Sequence, residues 1–412
     1  MSLINTATLD LDEFHGKEIP LYAILSHRWG EEEVSFQELE KGNSSPGPGL
    51  TKIKKFCEVA AADGLEWVWI DTCCIDKRSS AELSEAINSM FKWYAGAYRC
   101  YAQLSDFYMA RECPYCEDRT CWSCWHMDEA EGQARFWKSS WITRGWTLQE
   151  LLAPREVQLL DADWEEVGDR RSLSSDIAHA TGIDRQSLLM NEMYIGNGLS
   201  RSTSKNSIAK IMSWASRRSV TREEDIAYCL LGLFEVNMPL LYGEGGESAF
   251  KRLQIEILAK SHDESLFAWT DQASKPSGIF ADSPKRFANS GDILTSLRGN
   301  EEIMRPPCAI TNRGLEIAIP DSLPGKNDAF PLCLNCFRAS NRGRPKAICI
   351  QIRLRNRIAF RTRTHLMNPE DFPEPYERTT LRTLSNSFKT PVIYTSLFQA
   401  NHRQERKLCC AP

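Results

Sequence analysis

Four short apolar runs that alternate with helical segments constrain the fold of this chain more than any other feature. The runs cover residues 21–25, 65–70, 98–104 and 156–160, and apolar residues at helical spacing occur between them. Strands that alternate with helices pair in parallel, because each crossover helix returns the chain to the same edge of the sheet. This order predicts an α/β domain with a mostly parallel sheet and helices on both faces.

The sequence changes character twice along its length. The α/β pattern covers residues 1–168 and contains a cysteine-rich insertion at residues 111–135. Helical periodicity dominates residues 169–270, where we expect a helical subdomain. Short alternating runs separated by proline and glycine occupy residues 271–412 and predict a β-rich C-terminal domain.

Charge and composition exclude several classes of protein. The net charge of −5 provides no overall positive field for nucleic acid. No run approaches the roughly 18 apolar residues of a membrane span, and the N-terminus lacks the pattern of a secretory signal. The 15 cysteines are spread over 412 residues, which is typical of reduced thiols. We therefore expect a cytoplasmic protein with no nucleic-acid partner and no membrane span.

Polar side chains follow the first three predicted strands at the point where each strand ends. They are Ser26, His27, Arg28 and Trp29 after the first strand, Asp71 and Asp76 after the second, and Ser105 and Asp106 after the third. Ligands bind at the carboxyl ends of parallel strands, so the pattern predicts a cleft at this edge. The alternative interpretation is that the Asp and Ser residues only cap the following helices.

The segment before the fourth strand predicts one helix over residues 139–153. Thr143, Trp146 and Glu150 would share a face of this helix, while leucines at positions 148, 151 and 152 lie on or beside the other. Spacing makes Glu150 a candidate ligand-binding carboxylate. Three alternatives remain: a capping box between Thr147 and Glu150, a buried pair, and a core role for Trp146.

Two C-x-x-C pairs lie close together in the insertion. Cys113, Cys116, Cys121 and Cys124 offer the four ligands that structural zinc prefers. The spacer between the pairs is shorter than in the usual zinc ribbon, so an insertion with free thiols is the alternative. Zinc, if present, would stabilise a loop beside the cleft and take no part in the chemistry.

Four blocks of the sequence resemble the fungal heterokaryon-incompatibility (HET) domain. The blocks are YAILSHRWG at 22–30, WVWIDTCCIDK at 67–77, AINSMFKWYAGAYRCYAQLSD at 86–106 and RGWTLQELLAP at 144–154. Residues 224–245 and 261–269 resemble the region downstream of the domain in many such proteins. The resemblance covers about residues 20–270.

The resemblance implies a role in fungal nonself recognition, in which activated HET domains trigger programmed cell death. The HET domain is thought to be a distant relative of TIR domains, which implies a TIR/flavodoxin-like fold. Enzymatic TIR domains hydrolyse NAD at the nicotinamide glycosidic bond through a glutamate in a motif similar to Trp-Cys-x-x-Glu-Leu. Residues 146–151 match this motif with Thr147 in place of Cys, so the resemblance implies Glu150 as the catalytic residue.

The resulting hypothesis treats NAD as a substrate and requires no cofactor. Glu150 would contact the ribose and stabilise its developing positive charge. The predicted substrate-binding residues are Ser26, His27, Arg28, Trp29, Asp71, Asp106, Arg144 and Trp146, with the two tryptophans as stacking surfaces. No Gly-x-Gly-x-x-Gly comes after the first strand, so redox binding of NAD is not indicated.

Two competing interpretations come from other classes of protein. The first is a non-enzymatic signalling module that assembles with itself or with another incompatibility or death-signalling protein. The second and weaker one is a cysteine hydrolase built on Cys73 or Cys74 with His27, although adjacent cysteines after a buried strand are typical of packing.

Overall fold

The chain folds into two compact units. The computed structural model describes residues 1–42, 45–108, 136–189, 206–271, 278–295, 308–311, 314–317, 329–339, 346–355, 358–361 and 393–395. The first unit comprises residues 1–203 and 218–240, and the second comprises residues 204–217 and 241–412. The domain limits expected at residues 168 and 270 stay a prediction, since a compact unit need not coincide with a domain defined by sequence.

A seven-stranded sheet forms the centre of the first unit. Its strands are β1 (Ser2–Asn5), β2 (Leu11–Glu13), β3 (Tyr22–His27), β4 (Trp67–Trp69), β5 (Arg99–Gln103), β6 (Val157–Leu160) and β7 (Glu166–Asp169). They lie in the order β2-β1-β4-β3-β5-β6-β7. The four central strands are parallel, and the outer pairs are antiparallel. The predicted α/β class is confirmed, with an N-terminal hairpin and β7 as additions.

The helices of both units follow amphipathic patterns in the sequence. In chain order they are α1 (Phe36–Glu40), α2 (Pro48–Ala62), α3 (Ser80–Gly96), α4 (Ser140–Thr143), α5 (Thr147–Leu152), α6 (Ser174–Thr181), α7 (Arg185–Leu189), α8 (Ile208–Ala215), α9 (Asp225–Tyr228) and α10 (Gly246–Lys260). In α3, for example, the Ser79 hydroxyl accepts from the Glu82 amide at the N-terminus, while Ile87, Met90 and Tyr94 are buried. Burial of one face stabilises such a helix.

The prediction of one continuous helix over residues 139–153 is wrong. The segment forms two short helices, α4 and α5, because the backbone of Arg144 is extended (φ −78°, ψ 141°). Arg144 makes a parallel bridge with Ser219. A Cβ on Gly145 would lie 2.5 Å from Cγ1 of Val220, so the two segments meet where glycine has no side chain. This break in the helix cannot be predicted from helical periodicity, because it depends on contacts with residues that are distant in the sequence.

The strand order creates a crevice at the carboxyl edge of the first sheet. Among the four parallel strands, β3 comes first in sequence and has β4 on one side and β5 on the other. The connection from β3 therefore runs towards β4, and the connection from β5 runs in the opposite direction towards β6. In open α/β sheets, ligands bind at the point between two such strands. Ser26 and His27 end β3 at this point.

The second unit contains α8, α10 and an antiparallel-rich sheet. Its strands are β8 (Ile293–Thr295), β9 (Ala309–Thr311), β10 (Gly314–Ile317), β11 (Ala329–Arg338), β12 (Lys346–Arg355), β13 (Ile358–Arg361) and β14 (Ile393–Thr395). Ile348, Ile350 and Ile352 alternate along β12 and are buried. The predicted β-rich C-terminal region is confirmed. Among the described helices of the chain, none is long and apolar enough to cross a membrane.

Candidate functional site

A chain of buried hydrogen bonds links β3 to α4 and α5 on one face of the first sheet. The indole nitrogen of Trp141 donates to Oγ of Ser26 at 2.7 Å. Because that bond uses Ser26 as an acceptor, its hydroxyl donates to Oε2 of Glu150 at 2.5 Å. Ser26 is completely buried and Glu150 is 6% exposed. The strand-end serine and the glutamate predicted from the helix are therefore direct partners.

The surroundings of Glu150 favour its protonated form. Burial raises the pKa of its carboxyl to about 8, and the charge of Asp71 acts in the same direction. The hydrogen bond from Ser26 and the charges of Arg144 and Arg218 lower the pKa but do not overcome burial. At neutral pH most molecules therefore carry an uncharged Glu150 with two cations nearby.

His27 points to the other face of the sheet, as alternation along a strand requires. Its Nε2 lies 3.9 Å from Oδ1 of Asp71 and 3.8 Å from Oε1 of Glu33, and Glu33 is paired with Lys52 of α2. Burial, followed by the nearby cations with Lys52 first, lowers the pKa of His27 well below its usual value. Within the described part of the chain, neither His27 Nε2 nor Asp71 Oδ1 has a hydrogen-bond partner.

Trp29 lies at the mouth of the crevice and is 42% exposed. Its indole nitrogen donates to Oδ2 of Asp71 at 2.7 Å. The ammonium of Lys77 lies 3.9 Å from the ring centroid, and the guanidinium of Arg144 lies 5.6 Å from it. The ring is thus oriented by a carboxylate and accompanied by two cations, so an anionic group beside the ring would meet positive charge.

Three of the residues predicted to bind substrate have other surroundings. Asp106 accepts from Ser139 Oγ at 2.7 Å and from the Ser140 amide at 2.8 Å, and so caps α4. The indole of Trp146 donates to Asp225 at 3.1 Å. The side chain of Arg28 is exposed and makes no hydrogen bond or ion pair with any described residue. Their binding roles stay a prediction.

The alternative of a capping box at the start of α5 is wrong. The hydroxyl of Thr147 lies 2.6 Å from the carbonyl of Trp141, and Glu150 is bonded to Ser26. No side-chain cap is present at the start of α5. The carboxyl of Glu150 is therefore bonded to β3 and does not cap its own helix.

The geometry also disfavours a cysteine nucleophile. Cys73 and Cys74 are 0% and 3% exposed. Burial raises the pKa of the Cys74 thiol well above its usual value, and its sulfur accepts from the Ile70 amide at 3.3 Å. A nucleophilic cysteine needs an accessible thiolate, and these surroundings favour the opposite.

The predicted zinc ligands at positions 113, 116, 121 and 124 lie outside the described residues. Within the described residues, no group of three or more His, Cys, Asp or Glu side chains is arranged to hold a metal ion. The described cysteines with free thiols are Cys57, Cys73, Cys74, Cys100, Cys229, Cys308 and Cys336. Cys349 is disulfide-bonded.

A cavity of about 730 Å³ lies at the amino ends of β5 and β6. Its charged lining residues are Asp63, Arg99, Arg155, Glu156, Glu166, Asp169, Arg170 and Arg171. Arg99 forms ion pairs with Asp63 and Glu156. The buried guanidinium of Arg170 donates to the carbonyls of residues 151, 154 and 155 at 2.7 to 2.9 Å. Carboxylates therefore neutralise Arg99, and Arg170 supports the backbone after α5.

Sequence reasoning missed two important neighbours of Glu150. Trp141 belongs to the predicted helix, but only the tertiary structure brings its indole to Ser26. Arg218 lies 68 positions beyond Glu150, in a segment with no recognisable motif. Lys77, in contrast, ends the block at residues 67–77, where a basic residue after a strand-end aspartate could have been noted.

Comparison with known proteins finds matches in two parts of the chain. Residues 22–150 match the family described as Heterokaryon incompatibility protein (HET), and residues 248–288 match a domain of unknown function (DUF8212). Vegetative incompatibility protein HET-E-1 of Podospora anserina is 43% identical over 242 residues, which cover 58% of this chain and 16% of the relative. The aligned part is thus about one sixth of that relative. No solved structure matches.

Proposed function

Because residues 22–150 match the HET family, we propose that this chain is an effector of fungal vegetative incompatibility that hydrolyses NAD in a TIR-like manner. Loss of cytoplasmic NAD would then trigger cell death. The similarity to a vegetative incompatibility protein supports the biological role. The observation that carries the enzymatic role is the position of Glu150, which is bonded to Ser26 where the strand order reverses.

The reaction makes modest demands on the site. The bond between C1′ of the ribose and the nicotinamide nitrogen breaks, and nicotinamide takes the bonding electrons and leaves as a neutral molecule. Water forms the new bond to C1′ and releases a proton. The cationic leaving group needs no general acid, whereas the oxocarbenium-like transition state is stabilised by a nearby carboxylate. One well-placed glutamate meets this requirement.

The described residues have suitable properties for these roles. Ser26 already donates to Glu150 and would stabilise its carboxylate once the proton leaves. Lys77 and Arg144, beside the ring of Trp29, offer positive charge for a pyrophosphate. Since the resting Glu150 is protonated and 6% exposed, substrate binding or assembly must open the crevice and ionise it.

The test compares two matched glutamate-to-glutamine variants. Purified wild type, Glu150→Gln and Glu85→Gln are incubated with NAD under conditions that allow assembly, and nicotinamide release is measured. Glu85 is exposed on α3, so its variant controls for the chemical change. We expect Glu150→Gln to lose about 100-fold or more of the rate and Glu85→Gln to match wild type. Equal rates of nicotinamide release in all three proteins would contradict the assignment of Glu150 as the catalytic residue.

The burial of Glu150 favours a second candidate function, a non-enzymatic module that transmits a death signal by assembly. In that case the Ser26–Glu150 pair would be part of the core. Inducible expression in a fungal host separates the two functions when viability and cellular NAD are scored together. Killing by Glu150→Gln without a fall in NAD would support the assembly module.

A further inference from the structure

The break that presents Glu150 is held by a segment outside the residues that match the HET family. Between α4 and α5, the Ser219 amide donates to the carbonyl of Thr143 and the Gly145 amide donates to the carbonyl of Ser219, both at 2.8 Å. These two bonds and the contact between Gly145 and Val220 join residues 218–220 to the turn. The matched region ends at residue 150, so it does not contain its own support.

Arg218 is the side chain of this segment that reaches the start of α5. One of its nitrogens, Nη1, donates to the carbonyl of Arg144 and to the hydroxyl of Thr147, both at 2.8 Å. Arg218 is 6% exposed, and its Nη2 is buried with no hydrogen-bond partner in the described part of the chain. Leaving a guanidinium nitrogen unpaired costs free energy, which argues that packing alone does not explain this residue.

The charge of Arg218 acts on Glu150. Burial lowers the pKa of Arg218 to about 10, so it remains a cation at neutral pH, and the charge of Glu150 opposes this shift. The titratable and charged groups that interact with Glu150 from the surrounding elements are Asp71, Tyr94, Cys100, Arg144, Arg218 and Cys229. Of these, Arg144 and Arg218 are the two cations.

We infer that Arg218 is a positioning residue for Glu150: its guanidinium holds the turn before α5 and places a buried positive charge at the start of the helix that carries Glu150. The functional unit is then larger than the matched domain and includes residues 218–220. The consequence for NAD hydrolysis depends on the proposed function, whereas the effect on Glu150 does not.

The test follows the titration of Glu150 through the stability of the whole chain. Thermal unfolding midpoints are measured from pH 5 to 9 for wild type, Arg218→Met, Arg218→Lys and the exposed-neighbour control Arg217→Met, each with Glu150 or with Glu150→Gln. A buried glutamate with a raised pKa makes stability fall as pH rises, until the folded-state pKa is reached. We expect Arg218→Met to extend this fall by about one pH unit, because a cation near the carboxyl is lost.

Further outcomes of these measurements decide the inference. Arg218→Lys should restore the wild-type end of the fall, and the effect of Arg218→Met on the profile should vanish in the Glu150→Gln background. A uniform loss of stability at every pH in both backgrounds would overturn the charge role. If wild type releases nicotinamide, Arg218→Met should lower kcat more than it raises KM. If wild type is inactive, the proposed NAD hydrolysis is wrong, but the pH profile of stability still tests the role of Arg218.

Discussion

The two edges of the first sheet differ in how their buried polar groups are used. At the amino edge, Arg99 forms ion pairs with Asp63 and Glu156, and the guanidinium of Arg170 donates hydrogen bonds to backbone carbonyls. Within the described residues at the carboxyl edge, polar atoms of His27 and Asp71 are buried and lack partners. The cavity at the amino edge thus lies beside Arg99 and Arg170, whose donors are paired, whereas buried atoms without partners lie where the strand order reverses.

This difference shows that a cavity lined by charged residues need not be the place where chemistry occurs. An unpaired buried polar group costs about 1–3 kcal/mol, so several such groups close together lower the stability of the folded chain. Among the described residues that line the amino-edge cavity, no buried side-chain polar atom lacks a hydrogen-bond partner. The comparison therefore predicts that substitutions at the amino edge act on stability, while those at the carboxyl edge act on ionisation and reaction.

The largest expected effect on stability belongs to Arg170 at the amino edge. Arg170→Met removes three hydrogen bonds to carbonyls at the end of α5 and should lower the free energy of unfolding by about 4 kcal/mol. Arg155→Met, in the same cavity wall but exposed, should cost less than about 0.5 kcal/mol. Denaturant unfolding measures both. Equal losses would mean that the cavity lining is loosely packed and that the contrast between the edges is wrong.

A smaller effect is expected from the ionisation of Glu150. Its pKa is about 8 in the folded chain against an ordinary 4.5, so unfolding releases a proton between these values and stability falls as pH rises through the window. The free energy of unfolding of Glu150→Gln should lack this fall, which we expect to be about 3.5 kcal/mol between pH 5 and 8. Glu156→Gln, at the amino edge, serves as the control and should retain the wild-type slope.

The smallest effect concerns Asp106, which comes after β5 but caps α4. Asp106→Ala removes two hydrogen bonds at the start of that helix and should lower the free energy of unfolding by about 1 kcal/mol. Because its carboxylate is occupied by the cap, KM for NAD should stay within about twofold of wild type. A larger rise in KM would indicate that Asp106 binds the substrate, as the sequence predicted.

The strands and the acids that follow them could be predicted from sequence. All four apolar runs are strands of the parallel part of the sheet, and Ser26 and Asp71 lie at its carboxyl edge as expected. Period-two burial and strand-end polarity are local signals, so a single sequence contains them. The hairpin of β1 and β2 lacked such a signal, since its strands are short and partly exposed.

The sequence alone determined the α/β order and Glu150 as the glutamate of interest. Only the tertiary structure decided the state of that glutamate. Ser26 donates to it and is itself held by Trp141, and a segment 68 positions away breaks the helix before it and adds the charge of Arg218. The physical reason is the sequence separation over which each effect acts. Periodicity and strand-end chemistry act over a few neighbours, whereas burial and electrostatic interaction depend on residues that only folding brings together.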